Sequence, residues 1–428
     1  MSAALTLYRF LTGGAGAVAT PLVHLLAPRG SAWRARFGAP EEIGRAAGGP
    51  WIHAASMGEA AAALRWAEAL LAAGYRAPLF ITTRTAAGLA RVRREGRSNA
   101  VAAVAPLDVP QAVRRVLGAA APMRLDLIET ELWPNLLLEA HAAGVPAVAV
   151  SATVSARTAA WLRSLGLGGD ALFGPLHVLA QSERHAERFR ALGVAAERCR
   201  VIGDLKADRI AGADVDSPDP DARRLLVFAS FRPGEEEAAV AVARMLAARP
   251  DAGAWRFVVA PRHGRGVPPL RRAFGRAGIA LEFREESSRG AASALDWATS
   301  MAPAGDARSV GVLATRGELS DLFPHARAAI VGGTFAPWGG HNVLEPAARR
   351  CPVIVGPHHE EVEAGVALLL SRGAGAIVPD GATAAEILSR WLDEPASPRA
   401  AAALEAARAA EGAARRGLEA LTSWGLVP

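Results

Sequence analysis

Lysine is almost missing from this chain: of 48 basic residues only Lys206 is a lysine, and all the others are arginine. A lysine that persists where arginine is used wherever either will do invites a functional reading, because a compact ammonium does something a planar guanidinium cannot; the competing reading is chance survival at a surface position. Cysteine is scarce too. Cys199 and Cys351 stand far apart in the sequence, which argues against a disulfide framework or a cysteine-based metal cluster and suits a reducing compartment. No zinc-finger spacing, RNA-binding motif or basic block interleaved with aromatics is found, so nucleic acid is not an expected partner. A clean membrane span is also lacking. Residues 1–27 are mostly apolar, but Arg9 and Pro21 interrupt them, and a span needs about 20 uninterrupted apolar residues. A secretory signal would carry its charge at the very start. The expectation for residues 1–30 is a helix lying in or dipping into a membrane, with Arg29, Arg34 and Arg36 behind it on the cytoplasmic side. The competing reading is a soluble amphipathic helix packed on the first domain.

What is present is a globular composition, 51% apolar and 21% charged over 428 residues, too long for one ordinary core and suited to two domains. The net charge of +6, carried by arginines, suits anionic partners: a nucleotide, a phosphorylated lipid or an anionic membrane surface. From about residue 50, short apolar runs alternate with Ala/Leu-rich stretches of helical period. Strands are expected near 50–55, 78–82, 100–105, 124–130, 146–151, 176–181 and 199–203, with helices including 133–143 and 183–192. This pattern predicts a parallel sheet covered on both faces, a Rossmann-like α/β domain over 31–210. A polar, proline-punctuated linker is expected at 211–222. A second βα series follows over 223–397, with strands near 224–230, 255–260, 309–314, 327–331 and 352–356, and a loop-bearing insertion at 284–308. The tail, 398–428, reads as helical up to about 421. Ligands of open α/β sheets sit at the carboxyl ends of strands, so two such domains predict a cleft between them.

Polar groups fall at many of those strand ends. Glu59 follows the first strand at a helix start; alone it reads as a favourable helix-start charge, with a general base as the functional alternative. Glu129 and Glu131 close the strand over 125–128, two residues apart and expected to point the same way, with Trp133-Pro134 opening a helix. Lys206 follows the last strand of the first series, where an ammonium can stabilise developing negative charge. Arg262, after Pro261, can fork onto a phosphate. Gly317 and Glu318, beside Arg316, follow another strand. The stretch Val331–Pro346 predicts a strand, two glycine pairs and a helix start near Asn342. Such a junction can aim backbone N–H groups at a phosphate, with Glu345 reaching a ribose, or can be a tight turn that merely uses glycine.

Taken together, His53-Ala-Ala-Ser-Met-Gly-Glu59, Glu129-Thr-Glu-Leu-Trp-Pro-Asn135, Gly203-Asp-Leu-Lys206, Pro261-Arg-His263, Arg316-Gly-Glu-Leu319 and Gly339-Gly-His-Asn-Val-Leu-Glu345 resemble the 3-deoxy-D-manno-octulosonic acid (Kdo) transferases of lipopolysaccharide assembly. The resemblance runs from Arg36-Phe-Gly38 to Gly356-Pro357. It implies a GT-B fold and an enzyme that moves Kdo from CMP-Kdo to a lipid A precursor, lipid IVA, on the cytoplasmic face of the inner membrane. The first domain would then bind acceptor and the second the CMP-sugar. It implies Glu59 as general base and Glu129 and Lys206 as transition-state stabilisers. It also implies Pro261, Arg262, Arg316, Gly317, Glu318, Gly340, Asn342, Val343, Leu344 and Glu345 as the CMP-binding set, with no metal or other cofactor. The chain departs from the family pattern at Phe231-Arg232, where Thr-His is usual, at Arg316, where methionine is usual, and at His358-His359-Glu360-Glu361, where Asn-Phe is usual. These departures bear on donor contacts. They leave open a GT-B transferase that uses another nucleotide sugar, and, in a different class, a non-catalytic membrane protein that binds anionic lipid.

Overall fold

The structure is a computed structural model that describes residues 2–38, 40, 43–96, 99–169, 171–209, 218–288, 290, 292–304 and 309–427. The expected linker 211–222 lies outside the described residues up to 217, as do 289, 291 and 305–308 of the expected insertion. Two compact units divide the chain: Met1–Asp208 with Gly412–Pro428, and Arg209–Glu411.

The first unit is built on seven parallel strands, β1 (Pro50–Ala54), β2 (Leu79–Thr83), β3 (Ala100–Val104), β4 (Arg124–Ile128), β5 (Ala147–Ala152), β6 (His177–Ala180) and β7 (Cys199–Val201). Their order is β3-β2-β1-β4-β5-β6-β7. β1 is buried along its whole length because helices cover both faces: Trp51 packs into one core, Ile52 and Ala54 into the other. That double burial is why these strands read as continuous apolar runs. The exception inside β4 is Arg124, whose guanidinium forks onto Asp126 at 2.6 and 2.9 Å, while the Trp66 indole N–H donates to the same carboxylate at 2.8 Å.

The second unit repeats the plan with β8 (Leu225–Phe231), β9 (Arg256–Pro261), β10 (Ala280–Arg284), β11 (Ser309–Leu313), β12 (Ala326–Val331), β13 (Val353–Val355) and β14 (Gly375–Ile377), ordered β10-β11-β9-β8-β12-β13-β14. Both sheets are parallel throughout. The expected strands are present. Two edge strands, β10 and β14, were not expected: β10 carries Glu282 and Arg284, and β14 is three residues long and starts at glycine, so neither has the buried apolar run that marks a central strand. The expected insertion contains a helix, Ala294–Ser300, opened by a Ser293–Asp296 capping box.

The tail differs from the single helix expected. Two helices, Ala396–Ala409 and Ala413–Ser423, are separated at Gly412, where φ is +85°, a value glycine adopts without steric cost. Asp221 caps the first by accepting from Ala396 N–H at 2.6 Å. Asp208 caps the second, accepting from Ala413 and Ala414 at 2.9 and 2.7 Å. The second lies so close to the Met57–Ala72 helix that a Cβ on Gly417 would stand 2.9 Å from the Trp66 ring. The chain therefore returns to the first unit after completing the second.

The N-terminal segment is one helix, Ala3–Leu26. Polar groups dock it: Tyr8 donates to Asp108 at 2.7 Å, Arg9 to Glu139 at 2.7 Å, and Thr12 accepts from Asn135 at 3.0 Å. The opposite stripe exposes Leu7, Phe10, Leu11, Val18, Leu22, Leu25 and Leu26. Among the described residues no helix is long and apolar enough to cross a membrane.

Candidate active site

In each sheet the strand order reverses beside the first strand, between β1 and β4 in one unit and between β8 and β12 in the other. Loops leaving two such neighbours diverge and open a crevice at their carboxyl ends. Of the residues singled out from sequence, Glu59, Glu129 and Gly340–Glu345 follow strands at these two points, while Lys206, Arg262 and Arg316–Glu318 follow β7, β9 and β11.

After β1 the chain turns at Ser56, which caps the Met57–Ala72 helix by accepting from Glu59 N–H at 3.3 Å. The Glu59 carboxylate reaches back, accepting from Ser56 Oγ–H at 3.0 Å and from Ala55 N–H at 2.7 Å. The helix-start role is thus real, and it fixes the carboxylate at the strand end with lone pairs to spare. After β4, Glu129 adopts φ +61°, a left-handed conformation costly for a non-glycine residue and typical of functional sites. Its carboxylate meets the Lys206 ammonium in an ion pair.

Burial pushes Glu129 above the usual carboxylate range, against the pull of Lys206. Burial works against the Lys206 charge as well, but Glu129 and Asp204 outweigh it and hold the ammonium above its ordinary pKa. The close contact favours the charged pair. Glu59 adds to the field on both partners. Glu59, Glu129 and Lys206 are therefore brought together. Asp204 and Ser151 hold the lysine loop: Lys206 N–H donates to Asp204 at 2.9 Å and Leu205 N–H to Ser151 Oγ at 3.2 Å, with Ser151 itself at φ +54°. The sequence carried no signal for Ser151.

The expected pairing of Glu129 with Glu131 is not found. β4 ends at Ile128, so the two carboxylates are not side by side on a strand. Glu131 instead meets His53 Nε2 at 3.3 Å and accepts from the Trp133 indole at 2.6 Å.

In the second unit Pro261 and Arg262 close β9, Arg316–Glu318 follow β11, and Gly340 and Asn342–Glu345 follow β12. The glycine-rich stretch differs from its expectation. Its helix is a single turn, Leu344–Ala347, and Asn342 Oδ1 already takes Leu344 and Glu345 N–H at 2.9 and 3.3 Å. Thr334 and Phe335 N–H, both at 3.0 Å, are taken by Glu235, which also accepts from Arg232 N–H at 2.8 Å. Glu235 is 1% exposed and stitches the β8 loop to the β12 loop. The glycines serve backbone shape and packing: Gly339 and Gly340 have φ +86° and +94°, and a Cβ there would meet Glu361 and Val362 at 2.6 and 2.7 Å.

Val343 is core, and Leu344 packs beside it. Glu318 is committed too, accepting both arms of the buried Arg284 at 2.7 and 2.8 Å and the Thr315 hydroxyl at 2.6 Å. Arg262 and Arg232 both face His341, whose ring burial and these cations hold down at a pKa of about 4. Burial, and then the charges of Arg262, Arg232, Arg265 and Arg316, hold the His263 imidazole below its ordinary pKa. Glu345, raised by burial and opposed by Arg349 and Arg262, is a half-buried acceptor beside them. Among the described residues no group of three or more His, Cys, Asp or Glu is arranged to hold a metal ion.

A family model described as 3-deoxy-D-manno-octulosonic-acid transferase (kdotransferase) matches residues 31–209. A 3-deoxy-D-manno-octulosonic acid transferase of Bordetella pertussis is 35% identical over 415 residues, covering 90% of this chain and 91% of that protein. Among solved structures, the Anabaena protein HepE in complex with UDP superposes with a TM-score of 0.60 at 14% identity, over 88% of this chain and all of that one. A glycosyltransferase of Rickettsia africae gives 0.58 at 10% identity, over 87% and 97%. These two likenesses concern the fold, which is of the GT-B glycosyltransferase class.

Proposed function

The chain belongs to the 3-deoxy-D-manno-octulosonic acid (Kdo) transferase family, and from that premise we propose that it transfers Kdo from CMP-Kdo to a lipid A precursor with inversion, using Glu59 as base. It is a glycosyltransferase of lipopolysaccharide biosynthesis. The observation that carries the residue assignment is the grouping of Glu59, Glu129 and Lys206 at the β1/β4 end of the first sheet.

In this reading Glu59, held by Ala55 and Ser56, takes the proton from the acceptor hydroxyl as it attacks the anomeric carbon. A single base suffices for inversion, since attack and departure occur on opposite faces. The Glu129–Lys206 pair supplies fixed charge of both signs, suited to a transition state whose sugar gains positive and whose leaving group gains negative character. Arg262 is the cation for the CMP phosphate, and Glu345 accepts from ribose hydroxyls. The roles of Gly317, Glu318, Val343 and Leu344 are to shape the loops that carry these groups, as their internal bonds and packing suggest.

The apolar stripe of Ala3–Leu26 supports seating on the cytoplasmic face of the inner membrane. A docked helix that turns its leucines outward reverses the usual globular pattern and matches an interfacial helix.

Incubation with CMP-Kdo, generated in place, and a lipid A precursor should give products heavier by whole Kdo units on mass spectrometry. Glu59→Gln should reduce that transfer by at least about 100-fold with an unchanged melting temperature. Normal turnover by the variant sinks the assigned base.

A further inference from the structure

Arg232 has no part in the scheme above, yet it is the most firmly positioned cation near His341. β8 delivers it through Ser230, held at φ +56°. Its backbone N–H is fixed by Glu235 at 2.8 Å. Its guanidinium lies 4.1 Å over the Trp338 ring, and the Trp338 indole N–H is itself tied to Pro233 O at 3.1 Å. Stacking on an aromatic face orients an arginine without using its donors. Among the described residues Arg232 and Arg262 form no ion pair with a carboxylate, and the buried Arg232 Nε has no hydrogen-bond partner. Two guanidiniums that share a neighbour and lack carboxylate partners repel one another until anions arrive.

The donor named above brings two anions: the phosphodiester that joins cytidine to the sugar, and the carboxylate of the sugar acid. Among the backbone donors of the glycine-rich stretch, Thr334, Phe335, Leu344 and Glu345 N–H are already engaged, and Gly340 N–H donates to Gly333 O at 2.8 Å, whereas the Arg232 fork is, among the described residues, free of any carboxylate.

We propose that Arg232, steadied on Trp338, binds the carboxylate of the donor sugar and leaves Arg262 to the phosphate. This inference rests on CMP-Kdo as donor and deepens that reading. The planar fork matches a carboxylate bidentately, so the arrangement selects acidic sugars over neutral ones carried on the same nucleotide.

The test separates the two anions. Transfer by the full chain is measured at graded CMP-Kdo concentrations, with CMP, which lacks the carboxylate, as competing inhibitor. Arg232→Met keeps an unbranched stem for the Trp338 face and loses the fork. The KM for CMP-Kdo should rise about 10- to 100-fold, while inhibition by CMP changes less than about threefold. Equal weakening of both would make Arg232 a phosphate ligand and overturn the proposal; no change in either would overturn it as well. Should Arg232→Met fail to fold by thermal melt, Arg232→Lys, which keeps the charge and loses the fork, should show the same split in smaller measure, and a uniform or absent effect again overturns it. Absence of transfer by the wild-type chain is a different outcome, which removes the donor reading itself and this inference with it.

Discussion

Lys206 is where sequence statistics and geometry meet most directly. A chain that writes arginine everywhere else keeps one ammonium, and it stands against Glu129 with Asp204 beneath it. A guanidinium there would keep the charge but spread it over a plane too wide for that contact. Lys206→Arg should therefore lower the transfer rate by at least about 100-fold with little change in melting temperature, checked by initial rates and a thermal melt. Retained turnover would mean that only charge matters at this position. Neighbouring residues were less legible. Glu129 and Glu131 look alike in sequence, yet one ends at a lysine and the other at a histidine, because the backbone turns left-handed at Glu129. Glu235 gave no signal as a site residue, because two of its partners are backbone N–H groups about 100 positions away.

The Ala3–Leu26 helix makes its prediction at the scale of an element. Arg9, which interrupts the apolar run in sequence, turns out to be part of the clip that docks the helix, and Glu139, which receives it, also accepts from Arg114 at 2.7 Å. Leu25 and Leu26 are 79% and 76% exposed, so replacing both with serine should leave the melting temperature unchanged. Binding to vesicles of anionic phospholipid should fall by at least about tenfold, given roughly 0.8 kcal/mol for each methylene withdrawn from an apolar medium. Co-sedimentation measures it, and undiminished binding would reduce the helix to a packing element. The β12 loop gives its glycines a structural task that the sequence did not separate from a phosphate cradle: Gly339 and Gly340 have left-handed φ values and lie in close contact with Glu361 and Val362.

For the molecule as a whole, acid should be destabilising over a defined window. His177, held down at about 4 by burial and Arg198, and His341, held down at about 4 by burial and its arginine neighbours, both start from 6.5. The unfolded chain takes up protons below 6.5 while the folded chain does so only near 4, so stability is full above 6.5, falls with decreasing pH, and levels off for these groups below 4. Melting temperatures measured from pH 7 to 4 should decline accordingly, and His177→Asn should shallow the slope. A flat profile would contradict the buried, neutral state of both rings.

The sequence alone determined the βα alternation, the doubling into two α/β units, the central strands and the motifs that mark the family, because each is a local matter of period, apolar run or residue identity. Only the tertiary structure decided that the last helix returns to the first unit, that Glu129 and Glu131 part company, that Glu235 takes the glycine loop's donors, and that Arg232 is set on Trp338 beside Arg262. Each of those depends on partners distant in sequence, which no window along the chain contains.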